Sequence, residues 1–270
     1  MSFIGRLSPR RAAHVFVVAN IAFLGLDIVV AHMANDFAER VEWAPIVFSA
    51  VAAPLLVPGA FGARHPVFAV IDRVIALLSI VVGTAGMVFH LESSFFERQT
   101  LHNLVYSAPF VAPLAYVGVG LLLLLVRSKE ADTPTFGPWV ILLALGGFIG
   151  NFALSLLDHA QNGFFYPTEW IPVAAAAFGV SFLAMMLVRP GRPMRVACAW
   201  VMALEVVVAL VGFGLHVKAD YAREAAPVLE RFVFGAPAFA PLLFANLALL
   251  GAIGLWASKP SIRARRTVSA

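Results

Sequence analysis

The stretches HMANDFAERVEWAP (32–45) and HAQNGFFYPTEWIP (159–172) spell one pattern twice, H-x-x-N-x-F-x-x-x-x-E-W-x-P, and all six repeated residues recur 127 positions apart. Two further matches follow in the same order. GMVFH (86–90) aligns with GFGLH (212–216), and SAPFVAPL (107–114) with GAPAFAPL (235–242). The sequence therefore predicts a tandem duplication, with one unit over residues 1–130 and a second over 131–270, and with Arg127–Pro138 as the seam.

The medium of this duplicated chain follows from its composition. Of 270 residues, 61% are hydrophobic and only 13% are charged, with a mean hydropathy of +0.89. A soluble domain carries about 25% charged residues. The apolar residues fall in runs close to the roughly 18–20 residues that cross a hydrocarbon layer. Eight spans are expected, at about 12–31, 44–61, 69–89, 103–126, 137–157, 171–188, 195–215 and 232–257. Only helices and closed barrels satisfy their backbone groups in lipid, and no strand-like alternation is present. The expected fold is an all-α integral membrane protein: eight transmembrane helices as two tandem four-helix units, built from antiparallel hairpins. An even number of spans per unit keeps both copies in one orientation, so a pseudo-two-fold axis along the membrane normal is expected. The first run, Ala12–Ala31, reads as a span rather than a cleavable signal. The single cysteine, Cys198, excludes an intramolecular disulfide and any cysteine-based metal cluster.

Lysine and arginine divide unevenly between the two ends of these spans. Fourteen fall on the side of Arg10, Arg73, Arg127, Arg192 and the tail from Lys259 to Arg266, and five on the side of Arg40, Arg98, Lys218, Arg223 and Arg231. The positive-inside rule then puts both termini in the cytoplasm of an inner-membrane protein. The basic tail belongs to this bias, so lipid is the expected partner and nucleic acid is not.

The opposite, outer end collects the chemistry. Each odd span ends there on a histidine: His32, His90, His159 and His216. Glu42 and Glu169 stand at the mouths of spans 2 and 6, each beside a tryptophan suited to a membrane interface. Each even span opens near a proline: Pro45, Pro109, Pro172 and Pro237; Pro113 and Pro241 follow four residues after the second and fourth, where kinks are expected. A glutamate at a helix start also serves the helix dipole with no further role. Convergence of four imidazoles and two carboxylates at one depth, however, suits Fe, Cu, Mn or Zn, and two imidazoles on opposed helices suit haem. His32, His90, His159, His216, Glu42 and Glu169 are thus the expected metal ligands. Asn35 and Asn162 are expected to cap helices or orient the imidazoles. Against a metal, no HxxH, HxxxH or ExxH pair occurs.

Within the spans the sequence reading marks two acids, Asp27 and Glu205, as proton relays, cation ligands or neutral hydrogen-bonded groups. No GxxxxGK[ST] loop, GxGxxG turn or GxSxG elbow is present. The function expected first is metal- or haem-dependent redox chemistry at the outer face. The alternatives are a small-solute or ion transporter of two parallel repeats, and an assembly subunit that docks a periplasmic or membrane partner protein through its acidic face.

Overall fold

The computed structural model describes residues 7–63, 65–223 and 227–258. Arg6, Arg64, Glu224 and the basic tail Lys259–Arg266 lie outside the described residues. Ten α-helices follow in order: α1 Pro9–Met33, α2 Trp43–Ala60, α3 Pro66–Glu92, α4 Leu101–Val105, α5 Leu114–Arg127, α6 Phe136–Gln161, α7 Trp170–Val188, α8 Arg192–Tyr221, α9 Val228–Val233 and α10 Leu242–Ala257. No strand occurs among the described residues. Short 3-10 turns, Arg40–Glu42 and Pro167–Glu169, lead into α2 and α7.

Local chemistry sets the helix starts. Ser8 caps α1 by accepting from the Arg11 N–H at 3.2 Å, with Pro9 in the first turn. His65 does the same for α3, accepting from the Val67 N–H at 3.2 Å ahead of Pro66. Six helices, α1, α2, α3, α6, α7 and α8, are long and apolar enough to cross a membrane. Their outward faces are greasy: α3 exposes Val67, Val70, Val74, Leu77, Leu78 and Val81. An exposed apolar band of this size fits a lipid bilayer and points to a multi-pass membrane protein.

The expected spans 103–126 and 232–257 are not continuous helices. Each is a short helix, α4 or α9, then an irregular stretch, then a short apolar helix, α5 or α10, of 14 and 16 residues. Prolines explain the breaks. Pro109 and Pro113, like Pro237 and Pro241, offer no N–H and clash with the preceding turn. They also disfavour the α-helical region for the residues just before them. The kinks expected from sequence are full interruptions.

Packing runs the same way in each half. α1 packs on α2, α2 on α3, α3 on α5 and α5 on α1; α6 packs on α7, α7 on α8, α8 on α10 and α10 on α6. The halves meet where α1 touches α10 and α5 touches α6, and an Asn246–Asn20 hydrogen bond crosses that seam. In lipid, helices associate by close packing rather than by escape from water, so small residues matter. A Cβ on Gly120 would stand 2.6 Å from the Ala76 carbonyl oxygen, and one on Gly254 would stand 2.8 Å from the Ile141 side chain.

At the arginine-rich end the first half closes on a buried ionic trio. Asp72 on α3 is fully buried and pairs with Arg127 of α5, while His14 Nε2 of α1 lies 3.3 Å from the same carboxylate. Gly59 of α2 makes the space, since a Cβ there would stand 2.6 Å from the guanidinium. Asp72 is thus a third acid inside an apolar helix, beyond the two marked from sequence. The equivalent quartet in the second half is Ile141, Cys198, Leu255 and Met186, all apolar and buried.

Removing one partner of a buried pair strands a charge and costs about 3–5 kcal/mol. Arg127→Leu alone is therefore expected to destabilise the folded protein by that amount in detergent unfolding. Combining it with His14→Ile, Asp72→Cys and Gly59→Met installs the apolar quartet of the other half and recovers most of the loss. A single Arg127→Leu variant as stable as wild type would show that the trio does not hold the helices.

Candidate functional site

The loop that carries the repeated motif is built identically in both halves. After α1 the Phe37 N–H bonds back to the His32 carbonyl at 3.2 Å; after α6 the Phe164 N–H bonds to the His159 carbonyl at 3.0 Å. Both phenylalanines are left-handed, with φ of 51° each, and their neighbours Asp36 and Gly163 are left-handed too. A bulky residue at positive φ is strained. An aromatic stack holds it here. Phe37 lies on Trp43 with centroids 4.4 Å apart, and Phe164 on Trp170 at 3.9 Å. Each glutamate stands one residue before its tryptophan, which brings Glu169 within 3.9 Å of His159 and Glu42 into electrostatic range of His90.

The other two histidines hold the broken spans. His90 Nδ1 lies 3.1 Å from the Pro109 carbonyl and His216 Nδ1 3.0 Å from the Pro237 carbonyl. A carbonyl can only accept, so Nδ1 is the donor in both rings, and in the neutral ring Nε2 keeps its lone pair. One residue earlier, the Ala108 N–H donates to Ser93 Oγ at 2.9 Å and the Ala236 N–H to Asp220 Oδ1 at 2.7 Å. Gly86 and Gly212, one turn before each histidine, receive Pro113 and Pro241; a Cβ on either glycine would stand 2.9 Å from the proline.

The six candidate ligands fall into two sets, one per half. The His32 and His90 ring centroids are 6.3 Å apart, with Glu42 in electrostatic range of His90. His159 Nδ1 lies 3.9 Å from Glu169 Oε2, with His216 in electrostatic range of His159. No hydrogen bond, ion pair or ring contact joins the two sets among the described residues. Nor are three or more His, Cys, Asp or Glu side chains arranged there to hold a metal ion. All six residues are half-buried. His32 Nδ1, Glu42 Oε2 and Glu169 Oε2 are shielded and lack a hydrogen-bond partner. The sets also differ: Asn35 donates to Glu42 Oε1 at 2.9 Å, whereas Asn162 is the C-cap residue of α6. His102 is exposed on α4 beside Tyr106, and His65 is the α3 cap.

Sequence reasoning missed the side-chain anchors of the breaks. Ser93 and Asp220 carry no motif, and their partners lie 15 and 16 residues away. The signal that could have found them is the alignment of Ala108 with Ala236, each next to a proline whose carbonyl a histidine takes.

No family model matches the chain, and no curated protein or solved structure matches it either.

The motif loop makes a direct test of its backbone. Left-handed geometry costs an L residue about 1–2 kcal/mol, less for Asp than for most, and glycine avoids it. Asp36→Gly is expected to raise thermal stability, by up to about 1 kcal/mol. Gly163→Ala at the equivalent position is expected to lower it by about 1–2 kcal/mol. Opposite signs in calorimetry of the two detergent-solubilised variants are the expected result.

Proposed function

We propose that this chain is an eight-span inner-membrane protein of two tandem four-helix units, 1–130 and 131–270, related by a pseudo-two-fold along the membrane normal. Both termini are cytoplasmic and the histidine-rich end faces outward. The like order of helix packing in the two halves supports the symmetry. The interrupted stretches ahead of α5 and α10 make up the length that 14 and 16 helical residues lack at 1.5 Å each against a core of about 30 Å.

Each unit carries a pocket at that end, His32, His90 and Glu42 in one and His159, His216 and Glu169 in the other, which takes a transition-metal ion for redox or metal-dependent chemistry. One observation carries this reading. His90 and His216 each give Nδ1–H to a backbone carbonyl and keep Nε2 free. Metal-ligating histidines are held in this way, because the bond fixes the tautomer and raises the basicity of the other nitrogen. Glu42 Oε2, and Glu169 Oε2 at 3.9 Å from His159 Nδ1, supply carboxyl oxygens without a hydrogen bond to the same pockets. Two imidazoles on one ion, with bonds of about 2.0–2.1 Å, bring their ring centroids to about 5–6 Å. His32 and His90, at 6.3 Å, need close only slightly.

A second reading, cation transport, draws on the two interrupted spans. Broken helices at matching positions of two repeats are where transporters place substrate and ion sites, with unwound carbonyls as ligands. Pro109 and Pro237 supply such carbonyls.

Elemental analysis and an absorption spectrum of the purified protein separate these readings. Stoichiometric Fe, Cu, Mn or Zn supports the metal pocket, a Soret band identifies haem, and the absence of both leaves transport. His32→Ala and His90→Ala are expected to lower metal affinity by at least about 10–100-fold, while His65→Ala, at the far end, leaves it unchanged. Equal metal content in all three variants rejects the pocket. For topology, single cysteines at Ser128 and Gly191 are expected to react with impermeant reagent only from the cytoplasmic side.

A further inference from the structure

The second half holds a carboxyl group that nothing above uses. Glu205 sits at the middle of α8, fully buried; no side chain hydrogen-bonds to its carboxyl, and the backbone of Gly179 on α7 lies beside it. The helices packed on α8 offer it no counter-charge. α7 and α10 contain no titratable or charged residue at all. α9 contributes Glu230 and Arg231, and α6 contributes Asp158 and His159, all at the histidine-rich end. On α8 itself, Arg192 and Arg195 lie at the opposite end, Cys198 two turns away, and His216, Lys218, Asp220 and Tyr221 beyond the far end of the apolar stretch. The nearest of the outer group, His216, is 11 residues or about 16 Å along the axis.

An isolated carboxylate in such surroundings is strongly disfavoured by its lost solvation, so the group takes up a neutralising partner. A metal cation is a poor candidate, because Na+-like and larger hard cations want several oxygen ligands and this site offers one carboxyl among apolar side chains. A proton needs only the one oxygen. We propose that Glu205 is a proton-binding site in the membrane core, loaded and unloaded from the histidine-rich end of the second half. The reaction is COOH to COO− plus one H+, with the proton leaving toward that end.

The direction follows from what flanks the site on the same face of α8. Toward the histidine-rich end come Ala209 and Gly212, then His216, at helical spacing; Pro241 and the irregular stretch ahead of α10 lie against this strip. Pro241 fills the space over Gly212, and the unwound backbone ahead of α10 presents N–H and C=O groups outside any helical ladder, to which water binds. Toward the arginine-rich end the face is plugged by Met202 and Cys198, both buried, with the Cys198 thiol bonded to the Phe182 carbonyl. The first half has serine at the equivalent position, Ser79, which donates to the Tyr116 carbonyl at 2.7 Å and does not ionise at ordinary pH. The site therefore belongs to one half alone, and it stands whether or not the outer pockets take a metal.

Infrared spectroscopy of the full-length protein in liposomes tests it. The wild type is expected to show a protonated-carboxyl C=O band that Glu205→Gln removes, that shifts on transfer to D2O, and that disappears on alkaline titration. A hydrophobic carbodiimide, which reacts with protonated carboxyls in apolar surroundings, is expected to give an adduct at Glu205 in the wild type by mass spectrometry. Ala209→Leu is expected to slow the D2O shift about tenfold, a barrier increase of about 1.4 kcal/mol, while Met202→Leu leaves the rate unchanged. A band that neither exchanges nor titrates, or no protonated carboxyl and no adduct at Glu205, overturns the proposal. Exchange slowed by Met202→Leu and untouched by Ala209→Leu overturns its direction.

Discussion

Every backbone N–H and C=O inside an apolar layer has to find a partner within the protein. Two stretches of this chain break that rule locally, because paired prolines interrupt the helices that lead into α5 and α10. The rest of the histidine-rich end is organised around repairing them. A histidine takes the Pro109 or Pro237 carbonyl, and a side-chain oxygen of Ser93 or Asp220 takes the adjacent alanine N–H. Gly86 and Gly212 let the second proline of each pair approach. The positions of His90 and His216, and hence of whatever chemistry their Nε2 atoms do, are consequences of this repair.

The opposite end shows how one backbone plan carries two kinds of core. Where the first half assembles His14, Asp72 and Arg127 over Gly59, the second packs Ile141, Cys198 and Leu255 over Met186. The exchange is concerted: the glycine needed for the guanidinium becomes a methionine that fills its volume. Buried ion pairs can often be replaced by apolar groups of similar size without loss of stability, so stability alone does not require the trio. One carboxylate fixes the ends of three helices relative to one another at a depth where an unpaired charge is not tolerated.

Much of this was legible in the sequence, and the parts that were not have a common cause. The repeated motif announced two equivalent loops, and the stacked Phe37–Trp43 and Phe164–Trp170 pairs account for its spacing. Hydropathy located the six long helices because a membrane span is a property of one continuous segment. It overran the prolines at 109–113 and 237–241, since a window average does not register a missing N–H. Asp72 went unmarked for a different reason. Its partner Arg127 is 55 residues away, and an ion pair between helices leaves no trace in local spacing. The grouping of the six candidate ligands by half, rather than in one cluster, likewise depends on helix packing and on no short-range pattern.

Comparing the two halves separates architectural residues from candidate functional ones. A residue kept in both copies because the fold needs it says little about chemistry. His90 and His216 belong to that class in part, since each holds a broken span together. His32 and His159 do not. The loop uses their backbone carbonyls, and any residue supplies a carbonyl. Glu42 and Glu169 are likewise unneeded by the stack beside them: Glu42 accepts from Asn35 through Oε1, and Glu169 Oε2 faces His159 Nδ1 at 3.9 Å. The imidazoles of His32 and His159, packed against Phe37 and Phe164, and the carboxylates of Glu42 and Glu169 are therefore the repeated features least required by the backbone, and they join His90 and His216 in the metal reading. Glu205 poses the converse case. It replaces Ser79, whose hydroxyl finds a carbonyl on α5, with an acid that finds no side-chain partner and only the Gly179 backbone beside it. No packing gain explains a longer, ionisable side chain in that core, and its retention there calls for a ligand as small as a proton.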